Sequence, residues 1–299
     1  MPKIQYKEIR FRQSSLELIR LVNEVINDYK AQGYELTLRQ VYYQLVARGY
    51  IPNNERSYKN VGNLINDGRL AGLIDWYAIT DRTRNLRGNS HWDTPSEVIA
   101  SAKYSYLLDK WEGQPNYVEV WVEKDALVDV VGQACRPLDV PYFSCRGYTS
   151  QSEMWMAAQR FRRQDFREQR IIIHLGDHDP SGIDMTRDIQ ERLDMFGADV
   201  YVKRVALTME QIDFYSPPPN PAKITDSRCD KYIAQYGHES WELDALEPKV
   251  ITDLIKEQVT MYRDDGLYQR VCNKENREKR ELQMLCDHYD DAVAYLMEG

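Results

Sequence analysis

Residues 171–184 read IIIHLGDHDPSGID, and the chain is organised around this stretch. The largely apolar run Ile171 to Leu175 is too short for an independent helix and predicts a buried β-strand. Gly176 ends it, and Asp177 and Asp179 follow with one residue between them. Pro180 stops the extended run. Ser181 is the expected N-cap of a helix through about Phe196, with Asp184 at its third position. Two carboxylates held off the end of a strand suit a hard divalent cation, because Mg²⁺ takes one or two carboxylates together with waters and substrate phosphates. The alternative is an acidic turn whose aspartates only cap backbone groups.

Upstream, Tyr117–Val122 (YVEVWV) predicts another strand, ending at Glu123-Lys124 before a helical segment from Asp125. From there the expected order is strand 117–122, helix 125–135, strand 141–145, helix 151–168, strand 170–175, helix 181–196 and strand 199–206. Strands alternating with helices predict an α/β fold with a parallel sheet, which binds ligands at the carboxyl ends of its strands. Glu123, Asp177 and Asp179 all fall there. His174 is expected to point into the sheet and His178 to hydrogen-bond one of the aspartates. Pro217-Pro218-Pro219-Asn220-Pro221 marks a surface loop. Beyond it, the Trp241–Leu243 alternation predicts a structural strand, with Glu242 and Asp244 as further candidate carboxylates. Helices are expected near 248–263 and 268–297, the latter with the solvated charged face KENREKRE.

The amino-terminal part predicts a helix over 14–32, opened by a Ser14/Glu17 capping box and closed by Gly33. A Thr37/Gln40 capping box opens a second helix to Arg48, and a third covers about 57–67. Gly72–Thr80 reads as extended and Asp81-Arg82-Thr83-Arg84 as a polar turn. Three short helices followed by a strand pair outline a winged helix. In the second helix Leu38, Val41, Tyr42 and Leu45 form one apolar stripe, which places Tyr42 in the core. Tyr43 is rotated about 100° away and shares its face with Arg39, one turn earlier. A presented phenol beside a guanidinium suits attack on a phosphodiester, with the arginine stabilising charge on a non-bridging oxygen.

Glu123, the run Gly176-Asp177-His178-Asp179-Pro180-Ser181-Gly182 and the intervening loop Arg146-Gly147-Tyr148 resemble the Toprim domain. Arg39-Gln40-Val41-Tyr42-Tyr43 resembles the R-x-x-Y-Y motif of the winged-helix domain in topoisomerase VI A subunits. The two motifs occur in the same order as in that family, which includes the meiotic double-strand-break protein. In length the chain is similar to the short stand-alone Mini-A type. The resemblance implies a winged-helix domain over 1–90, a linker over 91–114, a Toprim domain over 115–240 and a helical extension over 241–299. It implies DNA cleavage of the type IIB topoisomerase kind. Tyr43 would attack a DNA phosphate, Arg39 and Glu123 would assist, and Mg²⁺ (with Mn²⁺ as substitute) would be held by Glu123, Asp177 and Asp179. Arg82, Arg84 and Arg146 are the implied contacts to double-stranded DNA, with Arg87 on the same wing. A homodimer is implied, and a separate ATPase B-like subunit is open, because the chain carries no phosphate-binding P-loop. A Toprim nuclease using metal-activated water, or a DNA-binding protein that keeps only the fold, are the other readings. The cysteine pattern argues against a zinc-bearing primase.

Composition sets the frame for these motifs. The 299 residues suffice for two domains with ample core, and no run approaches a membrane span. The sequence start lacks an apolar signal region, and five scattered cysteines without a CxxC predict reduced thiols, so a cytoplasmic, DNA-associated location is expected. Net charge is −8, yet residues 1–90 hold 14 Lys/Arg against 9 Asp/Glu, so a basic third (+5) precedes an acidic remainder (−13). That division suits a DNA-gripping module beside a carboxylate-rich one.

Overall fold

The computed structural model describes residues 3–79, 89–222, 226 and 228–298. Four strands, β1 (Asn116–Val122), β2 (Tyr142–Ser144), β3 (Gln169–Leu175) and β4 (Tyr201–Ala206), form one parallel sheet in the order β2-β1-β3-β4. Parallel strands need crossovers, and the α/β alternation of the sequence supplies them as helices covering both faces. Between the strands, α5 (Val128–Leu138) covers one face while α6 (Gln151–Arg162) and α7 (Pro180–Met195) cover the other. Side chains of β3 therefore alternate between two apolar layers. Ile171, Ile173 and Leu175 pack with Val130, Val131 and the later helix α10 (Pro248–Met261). Ile172 packs with Met154, Phe161, Met185 and Ile189. The sheet expected from the sequence is thus present, with helices on both sides.

Ahead of the sheet, α1 (Gln13–Ala31), α2 (Leu38–Ala47) and α3 (Glu55–Leu70) pack around Val22, Val25, Tyr29, Val41, Leu45 and Ile65. The Thr37/Gln40 capping box forms with both of its hydrogen bonds. The Ser14/Glu17 box does not, since α1 starts one residue earlier behind Arg12 with no side-chain cap. The expected strand over 72–80 is corrected in its described part. Residues 71–79 make only isolated bridges, Gln5 with Ala71 and Leu36 with Ile79, and otherwise turn. The Gly72 backbone, at φ +72°, bends the chain where a strand was expected. Arg82, Arg84 and Arg87 lie outside the described residues.

The expected linker contains a helix, α4 (Pro95–Ser105), which packs on α11 (Asp265–Asp287) next to α12 (Tyr289–Glu298). Of these three helices, only Glu275 is a buried residue. After β4 come α8 (Met209–Tyr215), α9 (Cys229–Tyr236) and a two-stranded antiparallel pair, β5 (Asn220–Pro221) with β6 (Glu239–Ser240). Where a strand was expected over 241–244, Trp241 bridges to His178 and a short 3₁₀ turn, Leu243–Ala245, follows. That turn packs directly on α2 and so joins the amino-terminal helices to the sheet. Among the described residues no helix is long and apolar enough to cross a membrane, and all five cysteines are free.

Candidate active site

The register of β1 on β3 pairs Val122 with Leu175, so Glu123 and the Gly176–Asp179 turn emerge at the same edge. Glu123 Oε2 accepts the backbone N–H of Asp177 at 2.9 Å. Two glycines make this approach feasible. A Cβ on Gly176 would lie 2.9 Å from Glu123 Oε2, and one on Gly182 would lie 2.3 Å from the Asp177 carbonyl oxygen. Beneath the turn, the half-buried Arg204 of β4 donates to the carbonyls of Gly176 (3.0 Å), Asp177 (2.6 Å) and Gly182 (2.8 Å). Burial lowers the Arg204 pKa, against the pull of Glu123, Asp177 and Asp179. One guanidinium thus fixes three backbone oxygens of the acidic turn.

The helix cap differs from expectation. Asp179, and not Ser181, is the N-cap of α7, accepting from Gly182 N at 2.6 Å. Asp184 consequently lies beyond the cap and meets Tyr148, Arg187 and Arg228. Asp177 is also used by the backbone, since its Oδ1 accepts from Leu243 N at 2.8 Å. The backbone-capping role weighed for both aspartates is therefore real. His178 points away from both. Its Nδ1 meets the Tyr232 hydroxyl at 2.8 Å, and burial lowers its pKa to about 4. The expected hydrogen bond to an aspartate is not made. His174 does face into the sheet packing, against Thr186.

Lys124 is the residue that sequence reasoning missed most clearly. Its ammonium contacts Asp177 at 2.8 Å and Asp244 at 3.4 Å, and it also pairs with Glu242. Burial opposes its charge, but the three carboxylates outweigh that and raise its pKa. Arg39 reaches the same pair, with Nε 2.8 Å from Asp244 Oδ2 and a hydrogen bond to Glu242. Glu242 is held ionised: burial would raise its pKa, but Lys124 and Arg39 lower it. Arg39, expected to be free for a phosphate, is tied into this ion cluster.

The expected exposure of Tyr43 is likewise corrected. Tyr42 and Tyr43 are both buried, at 3% and 5% exposure. Beyond the amino-terminal core, Tyr43 meets Asn220 and the carboxylates of Glu242 and Asp244. Tyr42 ties down the start of α3, donating to Asn53 Oδ1 and accepting from Asn54 N. The Arg39 guanidinium lies 5.6 Å from the centre of the Tyr43 ring, over its face. Burial, then the charges of Glu242 and Asp244, push the Tyr43 phenol up to about 12. Its remaining opening is a cavity of ≈ 290 Å³ lined by Arg39, Tyr43, Asp179, Trp241 and Glu242, among others. Arg146, at φ +52°, stands in the exposed loop after β2 and pairs with Asp125 at 3.1 Å, away from the cavity lining.

Among the described residues no group of three or more His, Cys, Asp or Glu side chains is placed to hold a metal ion. The expected trio divides. Asp177 has one oxygen on Leu243 N and the other on Lys124. Glu123 and Asp179 each spend one oxygen on a backbone N–H and keep the other. Burial, with the Asp179 charge, raises the Glu123 pKa and outweighs the Asp177 backbone N–H and the more distant charges of Lys124 and Arg204, which lower it. Two carboxylates with free oxygens and no direct ion pair among the described residues fit Mg²⁺, which completes its shell with water and phosphate. Comparison with protein-family models, curated proteins and solved structures finds no match for this chain.

Proposed function

We propose that this chain cuts DNA by transesterification, with Tyr43 as the nucleophile. The observation that carries the reading is the shared cavity, in which Tyr43 and Arg39 of α2 meet Asp179 and Glu242 of the sheet edge. The sequence resemblance to topoisomerase VI A subunits supports the same pairing of a tyrosine helix with an acidic strand edge. Tyr43 Oη forms a bond to phosphorus as the phosphorus–O3′ ester bond breaks, leaving a 5′-phosphotyrosyl link. Its pKa near 12 means that the phenol arrives protonated and needs a base. Arg39 turning from Glu242 to the phosphate leaves that carboxylate to accept the proton, while the departing 3′-oxygen takes one from water. Mg²⁺ or Mn²⁺ held by Glu123 and Asp179 would neutralise charge on the scissile phosphate. The cavity joins groups of one chain, whereas the resemblance implies a partner's carboxylates in a homodimer.

The buried phenol and the engaged Arg39 also favour a second reading, a metal-dependent nuclease in which water attacks and Tyr43 only packs. One experiment separates the two. Supercoiled plasmid is incubated with the protein and Mg²⁺ or Mn²⁺, then stopped with denaturant and assayed for protein-linked DNA. Wild type is expected to form the adduct, with Tyr43→Phe and Asp179→Asn each reducing it at least about a hundredfold, the scale of losing a central catalytic group. Cutting without adduct, indifferent to Tyr43→Phe, establishes the nuclease. Recovery on mixing the two inactive variants would place tyrosine and carboxylate on different protomers.

A further inference from the structure

We infer that the cavity beside Tyr43 receives a single nucleobase, taken from an unpaired or extruded nucleotide. Its walls carry four aromatic rings, those of Tyr42, Tyr43, Tyr58 and Trp241. At ≈ 290 Å³ it sits at the small end of ligand pockets, which run from about 300 to 1,000 Å³. That space suits one base or nucleoside and excludes a stretch of duplex.

The rings are held in place before any ligand arrives. Tyr42 packs edge-on against Tyr43 at 5.2 Å and Tyr58 at 5.3 Å. The amide rim is also internally bonded, with Asn53 Nδ2 donating to Asn220 Oδ1 at 2.7 Å and Asn53 Oδ1 accepting from Tyr42. A preformed aromatic slot whose polar rim is already satisfied recognises a ligand by stacking, which tolerates any base.

Charge makes the same choice. Glu55, Asp179, Glu242 and Arg39 line the cavity, with Glu55 paired to Lys59 at 2.7 Å and Glu242 to Lys124 and Arg39. These pairings leave the uncharged aromatic walls as the contact for a neutral flat ring, with the attached phosphate left to Arg39. Moving a base out of a duplex costs a few kcal/mol, and least where the base is unpaired. The cavity therefore confers a preference for bulged or single-stranded sites. DNA as the source of the base rests on the function proposed above, whereas base binding itself does not.

The test uses the full chain without divalent metal, so that cutting does not enter. A duplex with a one-nucleotide bulge of 2-aminopurine, a fully paired duplex and free 2-aminopurine riboside are titrated in parallel. The bulged duplex is expected to bind about tenfold more tightly than the paired one, with quenched fluorescence, in line with the stacking of one base. Tyr58→Ala should remove that preference while leaving paired-duplex affinity in place, and Tyr58→Phe should retain it. Tyr58→Leu replaces the alanine variant if the latter fails to fold. Quenched riboside that Tyr58→Ala releases, with no DNA bound, would keep the base site and sink the DNA reading. Equal affinity for bulged and paired duplex without quenching, a preference that survives Tyr58→Ala, or binding of none of the three probes would overturn the inference.

Discussion

The acidic edge of the sheet has two unlike halves. On one side Asp177, Glu242 and Asp244 surround Lys124, with Arg39 closing the group from α2. On the other, Glu123 and Asp179 each hold a backbone N–H, and neither has an ion pair among the described residues. The same chemical group thus serves two purposes within one turn. Where the chain supplies its own cations, the carboxylates act as a latch that fastens the tyrosine helix to the sheet. On the other half Lys124 and Arg204 act on Glu123 only from a distance and burial outweighs them, so a cation from outside would relieve it.

The largest effect should come from breaking the latch. Lys124→Met removes the one ammonium shared by three carboxylates, and stripping one partner from a buried ion pair costs about 3–5 kcal/mol. Denaturant unfolding should show a loss of that size, while Glu123→Gln, on the unpaired half, should leave stability unchanged or slightly raised. A Lys124→Met loss under about 1 kcal/mol would show that the halves do not differ. A smaller effect tests whether His174 relieves the unpaired half by taking a proton. Burial, then the nearby Arg204 charge, lower its pKa to about 3 from an ordinary 6.5. Below pH 6.5 the unfolded chain binds a proton that the folded chain refuses, so stability present above that pH falls as pH drops towards 3. The His174 share of the slope is about 1.4 kcal/mol per pH unit, or about 2 kcal/mol by pH 5; His178, lowered to about 4, adds a slope of the same sign, so His174→Gln should remove one share and leave the other. An unchanged slope in His174→Gln would mean that the imidazole is not the neutral group described.

What could be read from the sequence was local. The run Ile171–Leu175 and the capping box at Thr37 carry their own instructions in neighbouring residues, and both formed as expected. The strand edge bearing Glu123, Asp177 and Asp179 was legible for the same reason. The fate of Tyr43 was not, because helical periodicity describes one element and the cover over this ring comes from residues near 220 and 241, remote in sequence. Nor could spacing choose between Asp179 and Ser181 as cap, since Arg204 sets the turn from another strand. Two signals were nonetheless present. Arg204 is a charged residue inside the strand run Tyr201–Ala206, and Lys124 directly follows a candidate ligand. A charge in a buried setting calls for a partner, and here the partners define the site.

The smallest effect is the most discriminating. If Glu123 and Asp179 alone await a cation, Mg²⁺ should stabilise the folded chain by mass action, by about 1.4 kcal/mol at ten times its dissociation constant. The unfolding midpoint in a Mg²⁺ titration should therefore rise for wild type and stay flat for Glu123→Gln and Asp179→Asn. Asparagine at 179 keeps the helix cap, so a flat response there reports the lost charge and not a broken helix. Asp177→Asn separates two carboxylates from three. It retains an oxygen for Leu243 N and loses only the pairing with Lys124, so the Mg²⁺ response should survive. A response abolished by Asp177→Asn as well would mean that Lys124 yields its place when the cation binds, making the latch and the metal site one device with two states.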